Sequence, residues 1–574
     1  MVSPVQKGEF VRVLGSSSRR VAAVVIACLA WSLANVTWLV HNREGQPLNI
    51  DEAGYLGIAL NNAFGWERGG ASGWVDSVLW PSQHAPLTTA LTSLGLLTGW
   101  DPIAVALGVV LTFAFLTLLL TAALATVTRD RAVVVLSLAL VATAPGFIEL
   151  SRSYVFAVPA AAVTLAALYA LVRSRGLTSM AWSVVFGASL GLMPLARAMT
   201  IAFVPVILVA AAVHSAAHDG SWRRKFTNLG IASVLAVAVA SVWLVPSAHL
   251  VFGYLTEYGY GNQSVEYATH APSPPLALLT TLGDEYYAPY LVLLAAGWCA
   301  AAWGAVTWLR EGPARIRIRA LLASPMFPLA AFVLGACLAL MTSKNAGSGF
   351  TIPLLAPAAL VAAVGWVRAI RLLRHSRMRQ VTLVALCLGC AILAYPSFDS
   401  QSMLAEHRAV NVLGTSLTVT NGRGLDPAYP FPVSNRRAWS GAWATAFEKL
   451  TSDVLDGPTT RPDMAFGFRG NFANVNVIEL SVIERLHHAI PVAQIDPVAI
   501  GPSMNAYASW LTTDDAGASC HLMTSAGSVN EFKPLVDNDA LEAAAMTVGF
   551  KAVDKVPTPD GRSVTVWKRS GNGC

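Results

Sequence analysis

Charge is scarce in this chain. Only 13% of its 574 residues are Asp, Glu, Lys or Arg, whereas 55% are hydrophobic. Soluble domains carry about twice that share of charge, so an ordinary soluble protein is excluded. Cysteine is scarce as well, with seven residues, which excludes a small scaffold held by disulfides. The apolar residues instead form runs of bilayer length, and we therefore predict an α-helical polytopic membrane protein.

The apolar runs predict about eleven transmembrane helices, since a bilayer needs about 20 residues of helix. The first run follows a short basic segment, and its length favours an uncleaved helix over a signal peptide. The predicted spans lie near Val21–Val40, Ile103–Thr126, Ala132–Phe147, Tyr154–Val172, Met180–Leu195, Thr200–Val213, Leu229–Phe252, Tyr290–Leu309, Leu321–Met341, Phe350–Val367 and Val381–Tyr395.

Basic residues are distributed unevenly between the two sets of connecting segments. With residues 1–20 taken as an inside tail, the inside segments contain twenty Lys and Arg residues. The outside segments of the membrane part contain five, which are Arg43, Arg68, Arg152, Arg197 and Lys344. The positive-inside rule therefore predicts a cytoplasmic N-terminus, and it accounts for the net charge of +6 without a nucleic-acid partner. Abundant Ala and an excess of Arg over Lys are typical of a GC-rich bacterial genome, so the membrane is expected to be a bacterial inner membrane.

The composition changes near residue 397, where Asp, Asn and Pro return and no further span follows. The chain is thus predicted to contain a cytoplasmic tail (1–20), a membrane domain (21–396) and a soluble C-terminal domain (397–574). Because the number of helices is odd, the C-terminal domain should lie outside, in the periplasm of a bacterium.

The end of the C-terminal domain has an α/β pattern. A helix at Leu541–Val548 is followed by a strand that begins at Phe550, and a Pro-Asp-Gly turn leads into the alternating Ser563–Trp567. Cys520 and Cys574 share the oxidising side, where a disulfide is allowed but not required.

The first outer loop, residues 41–100, is far longer than a connector needs to be, and such loops are usually functional. It contains two adjacent acids, Asp51 and Glu52, and carboxylates are costly near a bilayer unless they have a function. Apolar residues at helical spacing predict one interfacial helix from Tyr55 and a second that begins at Pro86.

The sequence Asp51-Glu52-Ala53-Gly54-Tyr55, followed by His84-Ala85-Pro86-Leu87, resembles the GT-C glycosyltransferases of the protein O-mannosyltransferase and aminoarabinose transferase group. The resemblance covers about 1–396. It implies a GT-C fold and transfer of a sugar from a polyprenyl-phosphate donor to a cell-envelope acceptor (glycan, lipid or protein), within the lipid bilayer at its outer face. The chain departs from the pattern at Gly54, where aminoarabinose transferases carry Arg, and in the second outer loop, where the expected acid is missing.

The resemblance implies specific roles for residues on the outer face. Asp51 would be the general base of an inverting transfer. Lys344 would hold the carrier phosphate, although a lysine that only marks a helix end is an equal alternative. Arg197 is interpreted as structural. The residues expected to bind the substrates are Glu52, Tyr55, His84, Glu149, Arg152 and Lys344.

No cofactor is required by this interpretation. A divalent cation held by Glu67, Asp76 and His84 is an alternative, but a histidine beside a proline is more often a packing residue. Two further functions stay open at this point. A transporter or flippase of lipid-linked sugars would use the acids for ion coupling, and a non-catalytic protein would bind an envelope glycan through its outer domain.

Overall fold

The computed structural model describes residues 4–43, 47–266, 271, 273–345, 347–398, 408–412, 414–420, 436–455, 463–468, 470, 472–526, 536–570 and 574. Up to residue 398 the described chain is helical. Its helices are α1 (Pro4–Asn42), α2 (Ile50–Val78), α3 (Pro86–Leu96), α4 (Pro102–Ala125), α5 (Arg131–Ala142), α6 (Pro145–Leu150), α7 (Ala157–Arg173), α8 (Met180–Ala196), α9 (Val204–Ala217), α10 (Trp222–Gly259), α11 (Pro274–Tyr286), α12 (Ala288–Arg310), α13 (Ala314–Leu322), α14 (Met326–Thr342), α15 (Ile352–Arg371) and α16 (Ser376–Ala394).

Seven helices within the described residues are long and apolar enough to cross a membrane, or eight if the bent pair α13 and α14 is one span. The helices α5, α7 and α8 are apolar but shorter. Each of the eleven predicted spans overlaps one of the seven long helices, the bent pair or one of the three shorter helices. The main difference lies near Pro145, where the chain breaks into the short α6 because a residue before proline avoids the helical conformation.

Membrane helices pack through small residues and through bonded polar groups. The pair α12 and α15 shows both features. The indole of Trp298 on α12 donates to the carbonyl of Ala358 at 3.0 Å, and the indole of Trp366 on α15 donates to the carbonyl of Leu293 at 2.9 Å. A buried indole N–H needs such a partner, so the two bonds fix the register of this pair.

The predicted interfacial helices are both present. The first, α2, is bent at Gly69 and Gly70, where the backbone leaves helical geometry. The second, α3, begins with Pro86 at its first position, as predicted. The two helices pack against each other, and the indole of Trp74 donates to the hydroxyl of Ser93 at 2.8 Å.

The C-terminal region contains the strands and six further helices. Its strands are β1 (Arg408–Val412), β2 (Thr415–Thr420), β3 (Met464–Phe466), β4 (Val492–Gln494), β5 (His521–Ala526), β6 (Phe550–Pro557) and β7 (Ser563–Arg569), and its helices are α17 (Arg436–Leu455), α18 (Val475–Leu486), α19 (Pro497–Ile500), α20 (Met504–Thr512), α21 (Asp514–Gly517) and α22 (Asn538–Thr547).

Five of these strands form a mixed sheet in the order β4-β3-β5-β7-β6. Strand β3 runs parallel to β4 and β5, while β7 is antiparallel to β5 and β6. The predicted helix-strand-turn-strand at the end of the chain is confirmed by α22, β6 and β7. Cys520 and Cys574 are joined by a disulfide, which fastens the C-terminus to the sheet.

Candidate active site

In the first turn of α2 the side chains of the two adjacent acids, Asp51 and Glu52, point in different directions. Asn49 caps the helix by accepting a bond from the Glu52 N–H at 2.9 Å, while the Glu52 carboxylate accepts one from the Asn49 N–H at 3.2 Å. This reciprocal arrangement is a capping box. It directs Glu52 into the protein, where it is fully buried, and leaves Asp51 exposed.

Glu52 connects three parts of the fold. One carboxylate oxygen accepts a bond from the Arg43 guanidinium at 2.6 Å, and the other accepts one from the backbone N–H of Tyr154 at 2.9 Å. Tyr154 in turn donates its hydroxyl to Thr92 on α3 at 2.9 Å. Glu52 was predicted to bind substrate, but the structure places it inside the protein as the anchor of the first turn of α2.

A cavity of about 270 Å³ opens beside this turn. Aromatic and apolar side chains form most of its lining, and Arg197 is the one Lys or Arg among the described lining residues. The lining includes Tyr55, His84, Phe156, Arg197, Tyr254, Tyr258, Tyr260, Leu340, Ser343, Asn345 and Phe350. The cavity therefore combines an apolar wall with one fixed positive charge, which suits an amphiphilic anion.

Asp51 lies one helical turn before Tyr55 and within the electrostatic reach of Arg197. The Asp51 side chain is exposed at its surface, but the surrounding protein reduces the hydration of its carboxyl and so raises its pKa above the usual value, and the positive charge of Arg197 opposes this rise. Glu52 adds a smaller rise. The net effect is a more basic carboxylate than an ordinary aspartate, which favours a role as proton acceptor.

Arg197 follows α8 at the break before α9. Its guanidinium donates to the backbone carbonyls of Ser348 and Gly349, both at 3.0 Å, and stacks over the ring of Phe350 at 4.5 Å. Gly349 has φ +79°, and a side chain there would collide with Ala157. Arg197 forms no ion pair within the described residues, so neutral carbonyls hold the charge in place without neutralising it.

Glu285 on α11 holds the same loop from the other side. Its carboxylate accepts bonds from the Gly349 N–H at 2.6 Å and from the Thr351 hydroxyl. Burial raises the pKa of Glu285 to about 7, against the opposing effect of the bonds from Thr351 and Gly349 and of the Arg197 charge. Residues 347–351 are thus held between Arg197 and Glu285. Ser343, Asn345 and Phe350 of this connecting segment form one wall of the cavity, opposite Tyr55 of α2.

Tyr55 and His84, which were both expected to bind substrate, lie beside each other in the lining of the cavity. The Tyr55 ring stacks on Phe156 with centroids 4.0 Å apart and meets His84 edge to face at 5.5 Å. Burial lowers the pKa of His84 to about 4, so the imidazole is neutral near pH 7. A neutral imidazole can donate one hydrogen bond and accept another.

Lys344 is exposed and lies beside the main cavity rather than in its lining. It lines a small adjoining cavity that shares Leu340, Ser343, Asn345 and Phe350 with the main one. The backbone N–H of Lys344 donates to the Gly259 carbonyl at 2.9 Å. Lys344 therefore lies at the rim of the main cavity, whereas Arg197 belongs to its lining.

Glu149 and Arg152 are buried beneath the site. The Tyr287 hydroxyl donates to Glu149 at 2.6 Å. The Arg152 guanidinium lies between the rings of Trp38 and Phe398, at 4.0 and 4.5 Å, and donates to the Asn35 side chain at 2.8 Å. Both residues were predicted to bind substrate, but neither lines the cavity, since their polar groups bond to other parts of the protein.

The three residues considered for a cation are not brought together. Glu67 faces His487 of the C-terminal domain at 3.5 Å, whereas His84 lies at the cavity against Tyr55. Asp76 is exposed near the end of α2. No cluster of three or more His, Cys, Asp or Glu suited to a metal ion occurs in the part of the chain that the structure describes.

The C-terminal domain contacts α2 directly. The Asn476 side chain donates to the Ile50 carbonyl at 2.6 Å, which is the carbonyl of the peptide that leads into Asp51. Asn476 also fills the space where a side chain at position 54 would project, since a Cβ on Gly54 would come within 2.7 Å of it. The Arg of aminoarabinose transferases at this position is therefore incompatible with the packing of α18 on α2.

Further along α2 the same interface continues. The Phe64 ring stacks on His487 with centroids 4.2 Å apart, and Arg68 donates to the His487 carbonyl at 3.1 Å. The domain also reaches α11, where the Thr418 hydroxyl bonds to Asp284 at 3.2 Å. The C-terminal domain thus contacts α2, which carries Tyr55 of the cavity lining, and α11, which carries Glu285.

The sequence reasoning missed three residues of this site, which are Arg197, Glu285 and Asn476. An Arg at a helix end is an ordinary topogenic feature, and nothing in the sequence distinguishes Arg197 from Arg152. Glu285 belongs to the segment 256–288, which is rich in Tyr and acids and therefore typical of a membrane interface. Tyr267 and His270 of that segment lie outside the described residues. Asn476 carries no pattern that would pair it with Gly54.

The fold was compared with known proteins. No family model and no curated protein matches the sequence. Solved structures match over nearly the whole chain. The chain has the GT-C fold. An ArnT from Cupriavidus metallidurans bound to undecaprenyl phosphate aligns with a TM-score of 0.53 and 16% identity, over 94% of this chain and 97% of that one.

Two other structures share the fold. An oligosaccharyltransferase from Archaeoglobus fulgidus aligns with a TM-score of 0.53 and 11% identity, over 88% of this chain and 69% of that one. The arabinofuranosyltransferase AftD from Mycobacteria aligns with a TM-score of 0.52 and 12% identity, over 97% of this chain and 40% of that one. At such identities the likeness establishes the fold and leaves the activity to the site.

Proposed function

We propose that the chain is a membrane glycosyltransferase that transfers a sugar from a polyprenyl-phosphate carrier to a cell-envelope acceptor at the outer face of a bacterial inner membrane. The observation that carries the proposal is an aromatic, mostly apolar cavity lined by Arg197 and by Tyr55, with Asp51 one helical turn before Tyr55 and within electrostatic reach of Arg197. Three structures with this fold are named as transferases or bind undecaprenyl phosphate, which supports a polyprenyl donor.

The proposed reaction divides the work between the two charges. Asp51 accepts the proton of the acceptor hydroxyl as its oxygen forms the new bond to the anomeric carbon. The bond from that carbon to the phosphate oxygen breaks, and its electron pair leaves with the polyprenyl phosphate. Because acceptor and phosphate lie on opposite faces of the sugar, the anomeric configuration inverts.

Arg197 is the proposed phosphate ligand. It lines the cavity and forms no ion pair within the described residues, and a guanidinium matches two phosphate oxygens at once. Lys344 adds charge at the rim. Glu52 and Asn476 are positioning residues, since they hold the turn that carries Asp51. Tyr55 and Phe156 offer aromatic surface to the sugar, and His84 is a neutral hydrogen-bonding group beside them.

The disulfide between Cys520 and Cys574 supports an outer location of the C-terminal domain, because disulfides persist in oxidising compartments. The positive-inside pattern of the helices agrees with this orientation.

A deletion strain tests the proposal against the alternatives. Spheroplasts of the strain are treated with periodate, which cannot cross the membrane, and carrier lipids are then identified by mass spectrometry. A transferase predicts that a carrier-linked sugar accumulates in the outer leaflet, where periodate oxidises it. Accumulation in a protected inner leaflet would indicate a flippase. An unchanged level would indicate a protein that only binds glycan.

A further inference from the structure

A second cavity lies at the opposite end of the membrane domain. The helices α9 and α14 each have one end at the cavity that Arg197 lines. Ile201, just before α9, and Leu340, near the end of α14, are also lining residues of that cavity. Their other ends approach α13. There, an open cavity of about 570 Å³ separates the last turns of α9 from α13. It is lined by Val213, Ala216, Ala217, Arg315, Ile318, Arg319 and Leu322.

The helix α13 is suited to lie along a membrane surface. It has nine residues, too few to span a bilayer, and it is bent by 76° from α14. Arg and Ile alternate along it from Arg315 to Arg319. The side chains of Ile316 and Ile318 are 68% and 47% exposed. Ile318, Leu321 and Leu322 lie at helical spacing on one face of α13 with arginines beside it, which is the pattern of an interfacial helix whose apolar face enters the lipid.

The three arginines of α13 differ in whether their guanidinium groups already have partners in the protein. Arg319 pairs with Asp219 at 2.7 Å and donates to the Ala217 carbonyl at 3.0 Å. Arg317 stacks over the Trp308 ring at 5.0 Å and meets Glu311 at 3.4 Å. Arg315 is exposed and lines the cavity, and it has no hydrogen bond or ion pair within the described residues.

The charge around this cavity is strongly positive. Residues 219–225 and 310–319 contain seven Lys and Arg residues and two acids. The cavity between them is lined by aliphatic side chains apart from Arg315 and Arg319. An occupant with a negative head and an apolar body would neutralise Arg315 and cover the aliphatic lining at the same time.

We propose that this cavity binds an anionic phospholipid of the adjacent leaflet. Its phosphate contacts Arg315 beside Arg319, and an acyl chain covers Val213, Ile318 and Leu322. The proposal is independent of the glycosyltransferase function, because the cavity lies at the other end of the helices and contains no residue of the Asp51 site.

Native mass spectrometry of the purified full-length protein in detergent tests this site. Phosphatidylglycerol and phosphatidylcholine with identical acyl chains are added separately. Wild-type protein should retain more phosphatidylglycerol. Arg315→Gln should weaken phosphatidylglycerol binding about fivefold, since a basic residue near an anionic lipid surface contributes about that factor, and should leave phosphatidylcholine unchanged. The variant should fold normally, because no described contact is lost.

Two further variants make the result decisive. Arg377→Gln removes the same charge from the exposed start of α16 and should leave lipid binding unchanged. Ala216→Trp fills the cavity from an exposed position and should lower phosphatidylglycerol binding without a change of charge. Equal retention of both lipids by wild-type protein, or equal losses in Arg315→Gln and Arg377→Gln, would overturn the proposal.

Discussion

The cavity that Arg197 lines has two walls, one formed by α2 and the other by the segment before α15. Each wall combines a buried acid with a second ionisable group, which is Asp51 in one wall and Arg197 in the other. On the α2 wall, Glu52 is buried in an ion pair and hydrogen bonds, while its neighbour Asp51 stays exposed. On the wall formed by residues 343–351, Glu285 accepts the loop's own donors, while Arg197 stays without an ion pair in the described residues. In each wall a buried acid holds the backbone, while Asp51 in one wall and Arg197 in the other form no ion pair within the described residues, although Arg197 also holds the loop through two carbonyls.

Of the substitutions considered, removing the charge of the buried acid Glu52 should have the largest effect, which is a loss of folding stability. Glu52→Gln removes the carboxylate that pairs with the buried Arg43 at 2.6 Å, and breaking a buried ion pair costs about 3 kcal/mol or more of stability. Thermal unfolding in detergent should show a clear fall in the midpoint. Glu311→Gln is the matched control, because its ion pair with Arg317 is largely exposed. Equal midpoints in the two variants would show that Glu52 does not anchor the turn.

Removing the accessible cation should weaken donor binding. Arg197→Met loses a charge-assisted contact to phosphate, so affinity for undecaprenyl phosphate should fall at least about tenfold. It should also shift the pH profile. Turnover needs the Asp51 carboxylate and falls as the pH drops through its pKa. Because Arg197 opposes the rise of that pKa, the acid limb of the variant should move to higher pH.

An unchanged acid limb in Arg197→Met would contradict the electrostatic coupling between the two walls. A limb that moves to lower pH would contradict the sign of that coupling.

The contact between the outer domain and α2 should have a smaller effect. Asn476→Ala removes one hydrogen bond to the peptide before Asp51, which is worth about 1 kcal/mol and thus about fivefold in rate. The loss should appear in kcat with KM nearly unchanged, because donor ligands are untouched. Asn505→Ala, at an exposed position on α20, is the control. A rise in KM alone would mean that Asn476 contacts a substrate instead.

Of these residues, Lys344 at the rim of the cavity should have the smallest effect on donor affinity. Lys344→Met removes an exposed charge, and exposed ion pairs contribute about 1 kcal/mol or less. Donor affinity should therefore fall by about fivefold at most, which a titration with undecaprenyl phosphate can measure beside Arg197→Met. A larger loss in Lys344→Met than in Arg197→Met would reverse the assignment of the phosphate ligand.

Much of the fold could be predicted because membrane helices follow from the length of the apolar runs. The helix, strand and turn at the end of the chain followed from local periodicity and turn residues. The separation of Asp51 from Glu52 was also readable, since Asn49 and Glu52 have capping-box spacing. That signal identifies Glu52 as a structural acid, and the sequence analysis did not use it.

The rest of the site depends on contacts between distant segments. Arg152 and Arg197 look alike in sequence, and their difference arises because Trp38 and Phe398 enclose one while Phe350 and two carbonyls hold the other at the cavity. The departure at Gly54 is explained only by Asn476, more than four hundred positions away. Local patterns contain no information on such pairs.

The central claim is that one wall accepts the proton and the other holds the phosphate. Asp51→Asn and Arg197→Met, measured together for undecaprenyl-phosphate binding and for single-turnover transfer at saturating donor, test it most directly. Asp51→Asn should bind the carrier as wild-type protein does and transfer about a hundredfold more slowly. Arg197→Met should show the loss in binding. Wild-type transfer by Asp51→Asn, or equal losses of binding in the two variants, would contradict this division.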